Sequence, residues 1–147
     1  MRLRKPIQSG FTFLEIMFVV VIIGVLDGIA VQNLSKRAEW SRREATKANM
    51  KAIDTALSAY EMKVGDYPST EQGLEALVKC PSDVEKEDWG DSSYLKDVPK
   101  DAWGQKFVYK YPGEHNVDEY DLFSKGRDRK EGTEDDIVNW KKDSEKE

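Results

Sequence analysis

The chain of 147 residues has only one cysteine, Cys80, and one histidine, His115. A single cysteine excludes an intramolecular disulfide, and so few thiols and imidazoles exclude a zinc cluster of the usual kind. The net charge is −5, and no block of Lys and Arg with interleaved aromatics follows the first five residues, so we expect no nucleic-acid partner. A glycine-rich phosphate loop and a nucleophile motif are also absent, which argues against an enzyme.

The apolar residues are concentrated near the N-terminus. Three basic residues among the first five precede an apolar run, Phe11–Val31. The run is close to the roughly 20 residues that cross a bilayer as a helix, and it is longer than the core of a secretory signal peptide. The basic leader predicts a cytoplasmic N-terminus, with the rest of the chain across the membrane. Glu15 and Asp27 interrupt the run, and a carboxylate at such a depth needs a cationic partner.

A helical period continues after the apolar run. No proline occurs between Phe11 and Tyr67, so one helix is predicted from about Phe11 to about Met62. Small and apolar residues three or four positions apart predict the stripe that this helix buries. They are Ala45, Ala48, Ala52, Ile53, Ala56, Leu57 and Tyr60.

The second half of the chain reads as short elements joined by loops. Ser69 and Gln72 form a capping-box pattern that predicts a short helix ending near Lys79. Charged, glycine and serine residues after Pro81 indicate a surface loop. Two apolar and aromatic runs, 107–111 and 120–123, predict antiparallel strands joined by a turn, and His115 is expected to be a turn or surface residue.

The segment KGRDRKEGTEDDIVNW, Lys125–Trp140, combines five acids with two glycines. Oxygen ligands suit a hard cation such as calcium, which accepts carboxylates and main-chain carbonyls. The spacing of the acids does not match an EF-hand. Taken alone, the segment is either a solvated loop or a calcium site, with Ile137 and Trp140 as its apolar anchor. The acids are Asp128, Glu131, Glu134, Asp135 and Asp136.

The N-terminal sequence SG followed by FTFLEIMFVVVIIGVL resembles the class III leader of the type IV pilin superfamily, which includes the pseudopilins of type II secretion. The resemblance implies that a membrane-embedded prepilin peptidase cuts after Gly10 and methylates Phe11. It also implies that Glu15 pairs with the Phe11 amine of a neighbouring subunit during assembly. An ordinary signal anchor with a tolerated glutamate is the alternative. Cleavage removes three basic residues, which leaves 20 against 28 acids and a net charge of −8.

Two residues in the apolar region depart from the family pattern. Gln32 stands where the family often has proline, so the sequence gives less reason to expect a kink or melted stretch there. Asp27 stands where a small or apolar residue is usual. It marks either the periplasmic edge of the membrane or a second ion pair between subunits.

Three later segments are similar to the family of major pseudopilins of type II secretion: YPSTEQGLEALV, YLKDVPKDAWGQKFVYKYPGEH and DLFSKGRDRKEGTEDDIVNW. The last implies a structural calcium bound by Asp128, Asp135 and the carbonyl of Lys125, with Asp136 as a helper. The departures are Ala102 for a proline and two arginines in the loop, of which Arg129 replaces a glycine. These arginines would either weaken calcium binding or pair with nearby glutamates.

The resemblance implies an α+β, type IV pilin-like fold: a long N-terminal helix on a small antiparallel sheet, with a C-terminal calcium-type loop. Residues 1–10 would be the cleaved leader and 11–34 the transmembrane and assembly helix. Residues 35–140 would form the periplasmic domain, followed by a disordered tail, 141–147.

The implied function is that of a structural subunit. It would be anchored in the bacterial inner membrane with its domain in the periplasm, and would form a homopolymer, the pseudopilus, that drives export of folded proteins. The implied partners are minor pseudopilins, the prepilin peptidase and the inner-membrane assembly platform. The alternatives are a surface type IV pilin for adhesion or motility and a monomeric, membrane-anchored, calcium-dependent binding module.

Overall fold

The computed structural model describes residues 10–141, without the side chains of residues 27–34. The predicted leader before Gly10, the tail after Lys141 and the roles of Asp27 and Gln32 therefore lie outside the described residues. The chain divides into two compact units, Met1–Glu39 and Trp40–Glu147.

Helix α1 extends over Phe13–Val64, which confirms the predicted single helix. It begins after Thr12, whose hydroxyl accepts the Glu15 N–H at 3.3 Å, and it ends before Gly65, whose φ of 96° needs a glycine. Within the described side chains, no helix is both long and apolar enough to cross a membrane.

The N-terminal part of α1 presents bare apolar surface. Every large apolar side chain between Phe11 and Leu26 is 48–86 % exposed. Contiguous apolar surface of this extent is covered by a membrane or by other protein in most proteins that carry it.

In the second unit, α1 supplies one wall of the core. The predicted stripe is right for Ile53, Ala56, Leu57 and Tyr60, which are at most 5 % exposed. It is wrong for Ala45, Ala48 and Ala52, which are exposed; the buried face passes through Thr46 and Met50 instead. Alanine buries too little area to decide which face turns inward.

A three-stranded antiparallel sheet packs in the same unit. Its strands are β1 (Val108–Lys110), β2 (Asp121–Ser124) and β3 (Ile137–Val138), in that spatial order. Phe123 pairs with Val108 on one side and with Val138 on the other. All four residues of the central strand β2 are buried. The two predicted strands and the sheet are confirmed.

The segment between α1 and the sheet contains two short helices. Ser69 and Gln72 form the predicted reciprocal capping box, with bonds of 2.8 and 3.2 Å, and the helix that follows is a 3-10 turn, Leu74–Leu77. A second helix, α2, covers Lys86–Trp89 within the predicted surface loop. Trp89 is 7 % exposed and its indole donates to a carbonyl of the 3-10 turn at 2.8 Å, so this loop is anchored in the core.

Ala102 has a structural role that proline could not fill. Its N–H donates to the hydroxyl of Thr46 on α1 at 3.1 Å, and Thr46 is fully buried. Proline has no N–H to donate. The replacement of the family's proline by Ala102 therefore allows a hydrogen bond between this loop and α1.

Candidate functional site

The acidic loop joins β2 to β3, and its two limbs touch near its base. Gly126 has a φ of +62°, and a Cβ added there would lie 2.4 Å from the carbonyl oxygen of Asp135. That position requires glycine for its backbone angle and for the close approach. The loop is therefore closed by backbone contact before any ligand is considered.

Asp135 lies at the centre of the closed loop. Its Oδ2 accepts the N–H groups of Arg127 and Asp128, both at 3.0 Å. From α1, Arg43 donates its Nη1 to the Asp135 carbonyl at 3.3 Å and lies 3.8 Å from Oδ1. The structure thus places the Asp135 carboxylate against the backbone of Asp128, whose own Oδ1 accepts the Lys130 N–H at 2.9 Å, and it adds a guanidinium that the sequence did not predict.

The other two predicted ligand residues take different places in the loop. Asp136 is 6 % exposed, and its Oδ2 accepts the N–H groups of Gly132 and Thr133 at 2.7 and 3.3 Å. The ammonium of Lys125 lies 3.4 Å from Glu131. Asp136 therefore holds the tip of the loop, while the Lys125 side chain pairs with Glu131.

The arginines of the loop were expected to weaken a cation site or to pair with glutamates. Glu131 forms ion pairs with Lys125 at 3.4 Å and with Lys110 at 3.9 Å. No ion pair to Arg127 or Arg129 is among the bridges of the described residues. The ion-pair partners of Glu131 are thus Lys125 and Lys110.

The donor set fits calcium in kind. Asp128 and Asp135 would supply carboxylate oxygens and Lys125 a carbonyl, and calcium accepts six to eight such oxygens. Within residues 10–141, no group of three or more His, Cys, Asp or Glu side chains is placed to hold a metal ion. A calcium ion here would take part of its coordination from carbonyls and water.

A buried polar network fixes the base of the loop. Asp101, 5 % exposed, accepts the hydroxyl of Ser124 at 2.6 Å, and that hydroxyl accepts the N–H of Gly126 at 3.1 Å. Gln105 donates to the carbonyl of Gly126 at 2.9 Å. These bonds hold the residues on both sides of Lys125. The sequence analysis did not identify Asp101, Gln105 or Ser124.

Arg129 adopts the backbone conformation of the glycine that it replaces. Its φ is 62°, and it is the one non-glycine residue with positive φ among the described residues. A side chain in this region costs on the order of 1–2 kcal/mol per residue. Arg129, which replaces the family's glycine, is therefore a point of backbone strain.

We expect Arg129→Gly to raise the free energy of unfolding of the domain by about 1 kcal/mol, because glycine relieves most of this strain. Denaturant unfolding of the wild type and the variant measures the difference. Arg127→Gly is the matched control, since it removes the same charge from a residue without positive φ. An Arg129→Gly domain no more stable than the Arg127→Gly domain would contradict the assignment.

A second polar cluster closes the turn between β1 and β2. Asp121, 2 % exposed, accepts the N–H groups of Glu114 and His115 and the His115 ring at 2.8–3.0 Å, and the N–H of Asn116 at 2.9 Å. The His115 ring stacks on Trp140 with centroids 4.0 Å apart. His115 is a turn residue, as predicted, and it fixes Trp140 over the turn.

The pKa of Asp121 is lowered. Burial alone would raise it, but the N–H donors of His115, Asn116 and Glu114 and the His115 ring outweigh that effect. A carboxyl whose folded pKa is depressed stabilises the fold above its unfolded pKa of about 4, and the contribution is lost as the pH falls through the folded pKa.

We therefore expect Asp121→Asn to lower the free energy of unfolding at pH 7 by about 1–3 kcal/mol, because it removes one acceptor and the charge. The stability of the variant should fall less steeply than that of the wild type below pH 4. Thermal melting between pH 7 and pH 2.5 measures both. Asp118→Asn, an exposed acid in the same turn, is the control. If the stability of the wild type and of Asp121→Asn fell equally steeply below pH 4, this role of the Asp121 carboxylate would be excluded.

The predicted processing and assembly residues lie at the start of α1. Gly10 and Phe11 are exposed and precede the helix, and Glu15 lies in its first turn. Glu15 forms none of the ion pairs of the described residues. A carboxylate in a first turn is favoured by the helix dipole, but such an interaction alone is small.

Two family profiles match the chain. Residues 33–140 match the family described as "Type II secretion system (T2SS), protein G". Residues 5–30 match the "Prokaryotic N-terminal methylation motif". The first match covers the predicted domain, and the second covers the later part of the predicted leader and nearly all of the apolar run.

Curated and solved relatives agree with the profiles. The chain is 43 % identical over 134 residues to the type II secretion system core protein G of Escherichia coli K12, covering 90 % of this chain and 91 % of the relative. It is 44 % identical over 137 residues to that of Pseudomonas aeruginosa, covering 90 % and 95 %. The crystal structure of the major pseudopilin of enterohaemorrhagic Escherichia coli superposes with a TM-score of 0.65 at 32 % identity, covering 73 % and 89 %.

Proposed function

The chain belongs to the type II secretion system protein G family, and from that premise we propose how it is processed, anchored and assembled. It is a major pseudopilin: a structural subunit that polymerises into a periplasmic fibre for the export of folded proteins. The observation that carries this function is the identity of about 40 % over nearly the whole length of relatives that bear this one name.

Processing would create the assembly end of the chain. A prepilin peptidase cuts between Gly10 and Phe11 and methylates the new amine of Phe11. The match to the methylation motif supports this step. Glu15 then lies four residues from a cationic amine, and the amine of an adjacent copy neutralises it when the helices stack. A carboxylate inside apolar surroundings needs such a partner.

The exposed apolar side chains between Phe11 and Leu26 support a membrane anchor and a helix stack. Before assembly the inner membrane covers them, and in the fibre other copies cover them. The basic leader keeps the N-terminus cytoplasmic, which puts the domain in the periplasm. Minor pseudopilins and the inner-membrane assembly platform would be the further partners, and the chain would have no catalytic activity.

The processing proposal is tested on the chain purified from membranes of a cell that contains a prepilin peptidase. N-terminal sequencing and intact mass should show a chain that starts at Phe11 and carries one added methyl group. In Gly10→Val the uncut precursor should accumulate. A mature wild-type chain that begins elsewhere would refute the assignment.

We propose that the acidic loop binds one structural calcium ion through Asp128, Asp135 and the carbonyl of Lys125, with Asp136 as a helper. A bound ion would offset the repulsion between the carboxylates. Two features support this site: the contact between the two limbs of the loop and the hydrogen-bond network at its base. Both hold the loop oxygens in place before an ion binds.

The relatives favour a secretion pseudopilin over a surface pilin, since those compared above are named for the type II secretion system. A monomeric calcium-dependent binding module would need neither Glu15 nor a methylated N-terminus. The assembly test described in the Discussion separates it from the fibre subunit.

A further inference from the structure

Trp40 is unusual among the tryptophans of the domain. It is 67 % exposed, whereas Trp89 is buried and Trp103 and Trp140 are half-buried. Tryptophan buries 150–250 Å² when covered, and it is among the residue types that dominate protein interfaces. An exposed tryptophan on a rigid helix is therefore a candidate for contact with another protein.

Trp40 lies at one end of an exposed stripe, which we name the outer face of α1. Its members are three or four positions apart and point away from the buried side of the helix. Met62, at the other end, is 86 % exposed. The outer face consists of Trp40, Glu44, Lys47, Lys51, Thr55, Ser58 and Met62.

The charges of the chain are divided along its sequence. Residues 36–51 contain six basic and two acidic residues, a net charge of +4. Residues 52–141 contain 12 basic and 21 acidic residues, a net charge of −9. On the outer face, Lys51 is exposed and belongs to none of the ion pairs of the described residues, while Lys47 pairs with Glu44 at 3.0 Å. Cationic charge on the outer face is thus left for a partner.

A complementary surface is present on the same chain. The segment around α2 carries exposed acids that also belong to none of the ion pairs of the described residues. We name it the acidic α2 segment; its free acids are Glu85, Glu87, Asp88 and Asp91. It is held in place because Trp89 is anchored in the core. A rigid backbone keeps the loss of freedom on docking small.

We propose that the outer face of α1 around Trp40 docks onto the acidic α2 segment of a second copy of this chain. The proposal rests on the proposed assembly into a fibre. Two different patches that fit each other form a heterologous contact, which generates an open fibre when its rotation does not close. Opposite charges on the two patches set the register and disfavour contact between like patches.

The contact is tested by disulfide crosslinking in the full-length chain, expressed in its membrane with Cys80→Ser as the background. Glu44→Cys, one turn after Trp40, is combined with Asp88→Cys in the acidic α2 segment. Oxidation should give a ladder of dimers and higher oligomers. Glu44→Cys with Asp118→Cys, an exposed acid outside that segment, is the control pair and should give no ladder.

Substitutions in the two patches test the two sources of affinity. Trp40→Ala should reduce the crosslinked ladder at least about tenfold, as expected for an interface hot spot. Val117→Ala, a change at a residue 71 % exposed, should leave it unchanged. Lys47→Glu with Lys51→Glu should also abolish the ladder, and adding Glu87→Lys with Asp91→Lys should restore it. Position 88 is left out of the charge reversal because it carries the crosslinking cysteine.

The outcomes separate this contact from the proposed function. Wild-type fibres together with a ladder that Trp40→Ala and the reversed charges do not change would overturn the contact and leave the function intact. Failure of the wild type to form any fibre would count against the function itself. If Trp40→Ala lowers binding to vesicles of phosphatidylglycerol and phosphatidylethanolamine and spares the ladder, the face binds lipid and the contact is refuted.

Discussion

Glu15→Ala is expected to leave the chain in the membrane and to stop fibre assembly. The apolar run loses a carboxylate, so insertion becomes no harder. Assembly loses the acceptor for the neighbouring Phe11 amine, and an uncompensated charge in a low-dielectric stack is strongly unfavourable. We expect a drop in fibre yield of at least about a hundredfold, since removing one partner of a buried pair costs about 3–5 kcal/mol.

Membrane fractionation and electron microscopy of sheared fibres measure the two results. Asp118→Ala, which removes an exposed acid outside α1 and outside the proposed contact, is the control, and it should assemble as the wild type does. Fibres at normal yield from Glu15→Ala would exclude the charge pairing. Loss of the variant from the membrane fraction would show that Glu15 acts in insertion instead.

Calcium is expected to raise the thermal midpoint of the domain, residues 36–147, and to have no effect on Asp135→Asn. At a calcium concentration of 100 times the Kd, linkage stabilises the folded state by about 2.7 kcal/mol. For a domain of this size that corresponds to a shift on the order of 10 °C. Asp128→Asn should reduce the shift as well, because it removes the second principal carboxylate.

Scanning calorimetry with excess calcium and with chelator measures this effect. Asp118→Asn is the control, since it removes an exposed carboxylate outside the loop and should keep the wild-type shift. Magnesium separates a calcium site from general screening, because it demands a tighter octahedral geometry. Equal melting curves with calcium and with chelator would refute the calcium site and leave the fibre function untouched.

Local patterns predicted the elements of the fold well. The absence of proline and the helical period gave α1, and the capping box gave the start of the turn at Ser69. Two runs of apolar and aromatic residues predicted β1 and β2. These signals are local, since each depends on residues within a few positions of one another.

Contacts between distant residues were not predictable in the same way. Arg43 and Asp135 are separated by 92 positions, and nothing in the sequence distinguishes Arg43 from Arg42 beside it. Trp89 was placed in a surface loop because its neighbours are charged, yet its indole bonds inside the core. Which polar residue turns inward depends on the packing of elements, which periodicity does not encode.

The ligands of the candidate calcium site were predicted mainly from the resemblance to a known family. Composition left a solvated loop and a calcium site open, and only similarity to a family selected among the five acids. The structure then showed how the loop is built: Asp101 and Ser124 hold its base, and Gly126 lets its limbs touch. Such supporting residues have no motif of their own, because any polar residue at the right place can serve.

The central strand β2 also disfavours alternative pairing registers in the sheet. Its inner residues, Leu122 and Phe123, are apolar, but its ends, Asp121 and Ser124, are polar and buried. A slip of one residue would turn each side chain to the opposite face. Asp121 would then leave three N–H groups of the turn unsatisfied, and Ser124 would lose Asp101. A strand of four residues thus gains its pairing fidelity from polar ends, which widen the energy gap to misregistered states.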